Sequence, residues 1–432
     1  MRKLHNQFHF SAFLPVFFTL FTGLLLAGCV SSGGNTQPWK ETQTQTRPAE
    51  AIPSDLSVAA VDAYTLEGDQ NALSELPPVK VAILLPLSGQ HAKLGQAMLN
   101  AAQMALFDIG FDRFELMPKD TLGTPQGAQA AAKSALQDGA KLVLGPLFSD
   151  SVRAARQVTQ SANINMIAFS TDWTLANRQT FLIGFLPFDQ IERVTSYAVQ
   201  KGYARIGVLN PQDNYGSAVV SAYKSISGRV GAQTIRMENI GGQGSNLNTT
   251  IRSFADYDAR KASHNAHGTP FDAVLMPVGG TMAREIGSYL SHYDLPASSV
   301  KRLGTGLMDD DILATDSTLD GAWFAAPAPN ARKKFERGYK TLYYNDPPRI
   351  ASLAYDATAL AAILARIGIQ NNNRPAYDYA SITNANGFSG VDGIFRFRPD
   401  GISERGLAIL EYRNGRIVTI EDAPRTFQRS AY

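Results

Sequence analysis

Three short stretches hold side chains whose types and spacing could do chemistry. Pro86-Leu87-Ser88-Gly89-Gln90 stands between the apolar run VAILL and a segment in which Leu94, Met98, Ala101 and Ala105 recur at helical spacing. The run lacks polar alternation, so it predicts a strand covered on both faces, followed by a turn and a helix. In open α/β sheets ligands and partners dock at such turns, beyond the carboxyl ends of the strands and at helix amino termini. Ser221 and Lys224 have the SxxK spacing of an activated serine nucleophile, but the companion SDN and KTG motifs do not occur in the sequence. His264 and His267, with His292 further on, offer imidazoles to a metal, yet their surroundings are polar and loop-like and no acid stands at a spacing that would orient them. P-loop, GxSxG and HExxH patterns are absent from the sequence, as is a GxGxxG following a strand. The residues therefore argue for binding rather than catalysis, with no cofactor and no metal.

The elements that must position these groups alternate along the chain. Apolar runs predict strands at 79–87, 113–118, 142–146, 164–170 and 181–187, and a second series at 205–210, 233–240, 273–278, 302–307 and 322–327. Helical patterns separate most of them, and two more helices are expected at 331–344 and 350–368. Near the end RGLAILEYRNGRIVTI predicts a hairpin turning at Asn414-Gly415. Two similar α/β series in some 350 residues exceed what one hydrophobic core usually organises, which predicts two lobes.

The amino terminus sets the compartment. Arg2 and Lys3 precede a long apolar run that is interrupted by Pro15 and ends in small residues, the pattern of a secretory signal rather than a membrane span. Cys29 is the only cysteine in 432 residues, so no internal disulfide framework exists. Residues 30–78 are rich in Ser, Thr, Gln and Pro and predict a tether that does not fold alone, with a reach on the order of 40 Å by random-coil scaling. The full chain carries a net charge of +2, and without residues 1–28 it has 38 basic against 38 acidic side chains. That balance gives no electrostatic case for a nucleic-acid partner.

With these motifs in place, two resemblances emerge. Leu26-Ala27-Gly28-Cys29 resembles the bacterial lipobox, which implies that Cys29 is lipidated and becomes the mature amino terminus. Val30 after it, rather than Asp, implies the periplasmic side of the outer membrane, with the inner membrane as the alternative. LVLGPLFSDS, INMIAFSTD, NPQDNYGS, SLAYDATALAAIL and GFSGVDGIFRFRPDGISERGLAILEYRNGRI, in that order, resemble type I periplasmic binding proteins of the leucine-binding kind. More narrowly, the lipobox, the tether and LLPLSGQHAKLGQAMLNAAQMALFD resemble the lipoproteins called penicillin-binding protein activators.

The resemblance implies an α/β fold of two lobes, each a mainly parallel sheet flanked by helices, with a central cleft and hinge crossovers. It implies a signal peptide at 1–28, an anchor and tether at 29–78, lobe 1 at 79–187 and 322–375, and lobe 2 at 188–321 and 376–432. Ser149 and Ser151 stand where such proteins bind a ligand carboxylate, Ser170 and Thr171 follow the next strand, and Ser88 completes the set. Hydroxyls and amides at helix starts suit an anion; for Ser149, Ser151 and Thr171 the other role open is capping their helices. Tyr215 matches an aromatic that closes over ligand, and Tyr355 is expected to face it. The turn Gly304-Thr305-Gly306-Leu307 lacks the carboxylate that would hold a ligand ammonium, and Asp309-Asp310-Asp311 is expected to be a solvated loop. The function implied first is a non-catalytic regulator that activates a penicillin-binding protein, a peptidoglycan synthase. The alternative is a receptor delivering amino acids or other small carboxylated ligands to ABC-type transport. Cys29→Ser is expected to release the protein from membranes into the soluble fraction; a variant matured normally and still membrane-bound would refute lipidation.

Overall fold

The computed structural model describes residues 77–241, 246–263 and 268–427. Cys29, the tether, His264 and His267 lie outside them. The chain begins with β1 (Val79–Leu85), α1 (Ala92–Ile109), β2 (Phe114–Asp120), α2 (Pro125–Gln137), β3 (Leu142–Leu144), α3 (Ser149–Ser161), β4 (Met166–Ala168) and β5 (Thr180–Leu182). These strands form one parallel sheet in the order β2-β1-β3-β4-β5. Strand alternation sorts β1 between two cores. Val81, Ile83 and Leu85 pack with Met98, Leu99 and Ala102 of α1, while Ala82 and Leu84 pack with Ala128 and Ala132 of α2 and Val152 of α3. Both faces are dry, as the unbroken apolar run requires.

The second sheet begins after α4 (Pro187–Gln200). It takes in β6 (Arg205–Pro211), α5 (Asn214–Val230), β7 (Gln233–Ile240), α6 (Leu247–Phe254), α7 (Tyr257–Ala262), β8 (Ala273–Leu275), α8 (Gly280–His292), β9 (Lys301–Gly304), α9 (Asp311–Ala314) and β10 (Trp323–Ala326). The chain then returns to the first sheet through α10 (Pro329–Tyr343), α11 (Ala351–Asn372) and α12 (Tyr379–Ile382), followed by a small antiparallel sheet of β11 (Phe388–Gly390), β12 (Gly393–Phe397) and β13 (Ser403–Arg405). A closing hairpin, β14 (Ala408–Arg413) and β15 (Arg416–Glu421), extends the second sheet to the order β15-β14-β10-β9-β8-β6-β7. Its turn residues Asn414 and Gly415 have φ of 51° and 72°, the two positive values a two-residue type I′ turn needs. The helix α11 is long and apolar enough by itself to cross a membrane, but 83% of its most apolar stretch is buried inside the protein.

Two boundaries differ from the sequence reading. Residues 322–326 were expected in lobe 1, but β10 pairs with β9 and β14, and its four residues are all buried in the second sheet. Residues from 376 on were expected in lobe 2. Instead Phe388, Phe395 and Phe397 join the core of the first sheet, with Phe397 5.4 Å from Phe181, so the chain stays with lobe 1 until Arg405. The apolar run marked 322–327 as a strand but carries no information on which sheet it buries against, and β11 to β13 were not among the strands expected.

Short links therefore join the two sheets, and they join matching edges. Residues 183–186 lead from the carboxyl end of β5 to α4, where the Gln190 side chain accepts from Gly306 N–H, just beyond β9 (2.7 Å). Residues 327–328 leave the carboxyl end of β10 for α10. Residues 406–407 lead from β13 to Ala408, which pairs with Ala326 at that same end. The carboxyl edges of both sheets thus meet at the crossovers.

Arg405 ties these links together. Its backbone N–H donates to Asp189 in the first turn of α4 (2.8 Å), and its guanidinium donates to the Ile183 carbonyl (2.8 Å). The same guanidinium lies 5.0 Å from the Phe185 ring and 3.9 Å from the Asp356 carboxylate on α11. Arg349, which leads into α11, lies 4.2 Å from the Phe185 ring and pairs with Asp392 (2.9 Å), while Ser352 donates to Asp392 (2.6 Å).

Close helix approaches and this network generate two expectations. A Cβ on Gly216, in the first turn of α5, would stand 1.8 Å from the Pro211 carbonyl oxygen, whereas Gly228 on the same helix faces open space. Gly216→Ala is expected to cost about 1–3 kcal/mol through overpacking, and Gly228→Ala to be neutral or stabilising by up to about 1 kcal/mol, in urea denaturation. Equal effects would refute the close-approach argument. Burial raises Asp189 to about 7 despite the bond from Arg405 N–H. Burial, then the charge of Asp392, raises Asp356 to about 7. An acid raised on folding holds its proton more tightly in the folded chain. Its stabilising contribution is largest below the unfolded value of about 4 and is lost as pH rises through about 7. Asp189→Asn keeps the acceptor for Arg405 N–H and removes the titration, so its melting temperature is expected to fall less than wild type between about pH 5 and about pH 7.5; parallel profiles would exclude this role for Asp189.

Candidate functional site

The strands β1, β3 and β4 are neighbours, so the turns that follow them stand side by side about 5 Å apart per strand. Ser88, Ser149 and Thr171 are thereby brought to one edge although up to 83 residues separate them in sequence. Their hydroxyls are not equivalent. Ser88 donates to Asp120 (2.6 Å), which closes β2, and Asp120 also accepts from the N–H groups of Leu87 (2.9 Å), Ser88 (3.3 Å) and Leu122 (2.8 Å). Burial works to raise this carboxyl, but the bonds from Ser88, Leu122 and Leu87 outweigh it and hold it below the usual range. Asp120 is thus an ionised clamp on the turn that carries Ser88, and sequence reading missed it because nothing in its spacing marks the contact.

Ser149 begins α3, whose cap residue Phe148 offers no capping hydrogen bond. Among the described residues the hydroxyls of Ser149 and Thr171 have no partner, and the Ser151 hydroxyl is buried without one. Ser170 is buried, and its hydroxyl accepts from Asp172 N–H (3.1 Å). Gly89 holds φ at 77°, so this turn requires a residue tolerant of the left-handed region.

At the edge of the second sheet, Tyr215 is turned inward: its hydroxyl donates to Thr305 (2.9 Å) and burial pushes it up to about 12. It braces the turn after β9. Tyr355 does not face it. The Tyr355 hydroxyl donates to Asp108 at the end of α1 (2.7 Å), and its ring packs with Phe335 and Tyr339 of α10 and Ala105 of α1, a helix-packing role on the outside of the first core. The Asp309-Asp310-Asp311 run is also not a uniformly solvated loop. The Asp309 side chain is 2% exposed and pairs with Arg332 on α10, with Arg349 3.9 Å away; Asp310 caps α9 through Ile312 N–H (2.8 Å), and only Asp311 faces solvent freely. Most acids near the two edges are engaged: Asp120 and Asp309 as above, Asp172 with Thr174 (2.6 Å), Asp213 with Gly216 N–H (2.7 Å) and Asp310 in its cap. Asp311 is exposed, as is Asp150 in the first turn of α3, which lies 4.0 Å from Arg153. The first edge thus presents hydroxyl donors together with one exposed acid, Asp150, that faces Arg153. Ser221 and Lys224 are both exposed on α5, away from these turns. A polar concavity of about 510 Å³, lined by Asn163, Arg178 and Tyr379 among others, lies before β4 and β5, at the opposite edge of the first sheet.

Comparison with known proteins agrees with this architecture. The Leu/Ile/Val-binding protein BraC3 of Rhizobium johnstonii is 24% identical over 270 residues, covering 59% of this chain and 69% of that protein. The Leu/Ile/Val-binding protein of Escherichia coli K12 is 27% identical over 155 residues, 33% of this chain and 42% of that protein. The crystal structure of an ABC-transporter solute binding protein from Rhodopseudomonas palustris BisB5, in complex with 3,4-dihydroxybenzoic acid, superposes with a TM-score of 0.58 at 17% identity, covering 80% of this chain and 96% of that one. A profile of the periplasmic binding proteins matches residues 78–416, and the chain belongs to that family.

Proposed function

We propose that the chain is a non-catalytic solute receptor whose ligand presents a carboxylate to the carboxyl edge of the first sheet. The observation that carries this reading is the pair of unpartnered hydroxyls at Ser149 and Thr171 beside the start of α3, which Phe148 leaves without a side-chain cap, with the Ser151 hydroxyl buried and unpartnered behind them. Donors at the positive end of a helix dipole stabilise an anion. Asp120 and Asp172 are already bonded and Asp150 lies 4.0 Å from Arg153, so an ammonium entering the same edge would have to compete with those partners. The ligand is therefore a simple carboxylate rather than an α-amino acid, which sets this chain apart from relatives named for leucine, isoleucine and valine and nearer to the structure bound to 3,4-dihydroxybenzoic acid. A lipid anchor at Cys29 and a long tether would hold the receptor at a membrane facing the periplasm.

A second reading, regulation of a peptidoglycan synthase from the outer membrane, is favoured by one observation: the lipobox, the tether and the 84–108 segment together resemble penicillin-binding protein activators. The relatives found support the receptor reading better. Crosslinking in membranes separates the two, since recovery of a permease supports the receptor and recovery of a glycosyltransferase-transpeptidase supports the regulator. For the receptor, calorimetry is expected to show benzoate or 3,4-dihydroxybenzoate binding more tightly than leucine. Ser149→Ala and Thr171→Val are each expected to weaken it about tenfold, the worth of one hydrogen bond to a charged group. Tighter binding of leucine, or wild-type affinity in both variants, would overturn the assignment.

A further inference from the structure

A second concavity, of about 640 Å³, lies at the amino-terminal edge of the second sheet, the opposite end from the crossovers. It is lined by Tyr203 before β6, Ser298 and Ser299 before Lys301 at the start of β9, and Ser317, Asp320 and Gly321 before β10. Its volume falls in the range of small-molecule sites, about 300–1,000 Å³. Lys301 is its fixed donor. The ammonium gives one hydrogen bond to the Gly321 carbonyl (2.9 Å) and rests 4.3 Å from the Trp323 ring, whose indole N–H is held by Glu411 (3.1 Å). Among the described residues no carboxylate comes within ion-pair distance of Lys301, so two of its three protons stay available. Burial lowers its pKa from the usual lysine value, opposed by the charges of Glu411 and Asp320.

The remaining groups are also unengaged. The hydroxyls of Ser298, Ser299 and Ser317 have no partner among the described residues, and the exposed Asp320 adds an acceptor. Tyr203, 5.3 Å from Trp323 and edge-on to it, supplies an aromatic wall. This mixture selects by charge. Glu411 is taken up by Trp323 and Arg413, so an oxyanion would gain Lys301 but meet Asp320, and a cation would gain Asp320 but meet Lys301. A neutral ligand with alternating donors and acceptors satisfies both charges and the hydroxyls at once. We propose that this concavity is a separate binding site for an uncharged saccharide of mono- or disaccharide size, held by Lys301, Asp320 and the three serines against Tyr203. It shares no residue with the carboxylate edge, so either assignment stands if the other fails.

Saturation-transfer NMR on the full chain tests it, with glucose, N-acetylglucosamine and their β-1,4-linked dimers as ligands and inorganic phosphate as competitor. Saturable binding of at least one sugar is expected, weakened about tenfold by Lys301→Met and by Asp320→Asn, the worth of one charge-assisted bond, and unchanged by Ser149→Ala. Thermal melting checks each variant, and Asp320→Asn, at an exposed position, carries the test if Lys301→Met unfolds. The proposal is overturned if no sugar transfers saturation, if a folded variant binds as wild type, or if phosphate binds more tightly than every sugar.

Discussion

The arrangement of the two lobes depends on one buried guanidinium. Arg405 is 7% exposed; its guanidinium meets Ile183, Phe185 and Asp356 of α11, and its backbone N–H meets Asp189 in the first turn of α4. A buried charge is tolerated where its partners are in place, and removing one partner leaves a charge uncompensated at a cost of several kcal/mol. A rotation of one lobe against the other that broke these contacts would carry that cost. A rotation pivoting near Phe185, which Arg349 also covers, would move the far ends of the sheets while hardly disturbing the pivot. The matched carboxyl edges are the surfaces such a rotation brings together.

On those edges the side chains divide their work by charge. Asp120, Asp213 and Asp310 build turns and caps by accepting backbone N–H groups, and Asp309 closes on Arg332. With these acids occupied, the groups left at the first edge are hydroxyls, amide N–H groups and the exposed Asp150. A carboxylate that fixes a turn by accepting its N–H groups is no longer free to accept from elsewhere, so the bonds that hold the turn also set what it can offer.

Much of this was legible in the sequence. The unbroken apolar runs gave the parallel sheets, Asn414-Gly415 the hairpin, and the small residues after each run the turns that share an edge. The limits were physical. The apolar run reports that Trp323–Ala326 is a buried strand, but the sheet it joins depends on contacts with residues far away in the chain, and Phe395–Phe397 was not expected as a strand at all. Tyr355 reads as an aromatic in a returning segment, yet its direction is set by Asp108, some 250 positions earlier. Asp309 looks solvated beside two other acids, and its burial follows from Arg332 and Arg349 lying on separate elements. Strand ends are local facts; side-chain partners across the fold are not.

The first sheet is completed by a helix from the far side of the chain. Leu353, Ala357 and Leu360 of α11 cover the same face of β1 as Met98 of α1, so the first lobe is interrupted by the whole of the second. During synthesis Val81, Ile83 and Leu85 emerge well before their cover exists. Non-local closure of this kind slows folding and prolongs exposure of apolar surface. The second lobe, apart from its closing hairpin, is a continuous stretch and is free to form first; it then brings the two ends of the first lobe within reach of each other. The nested order of the chain makes the inner lobe a template for assembling the outer one.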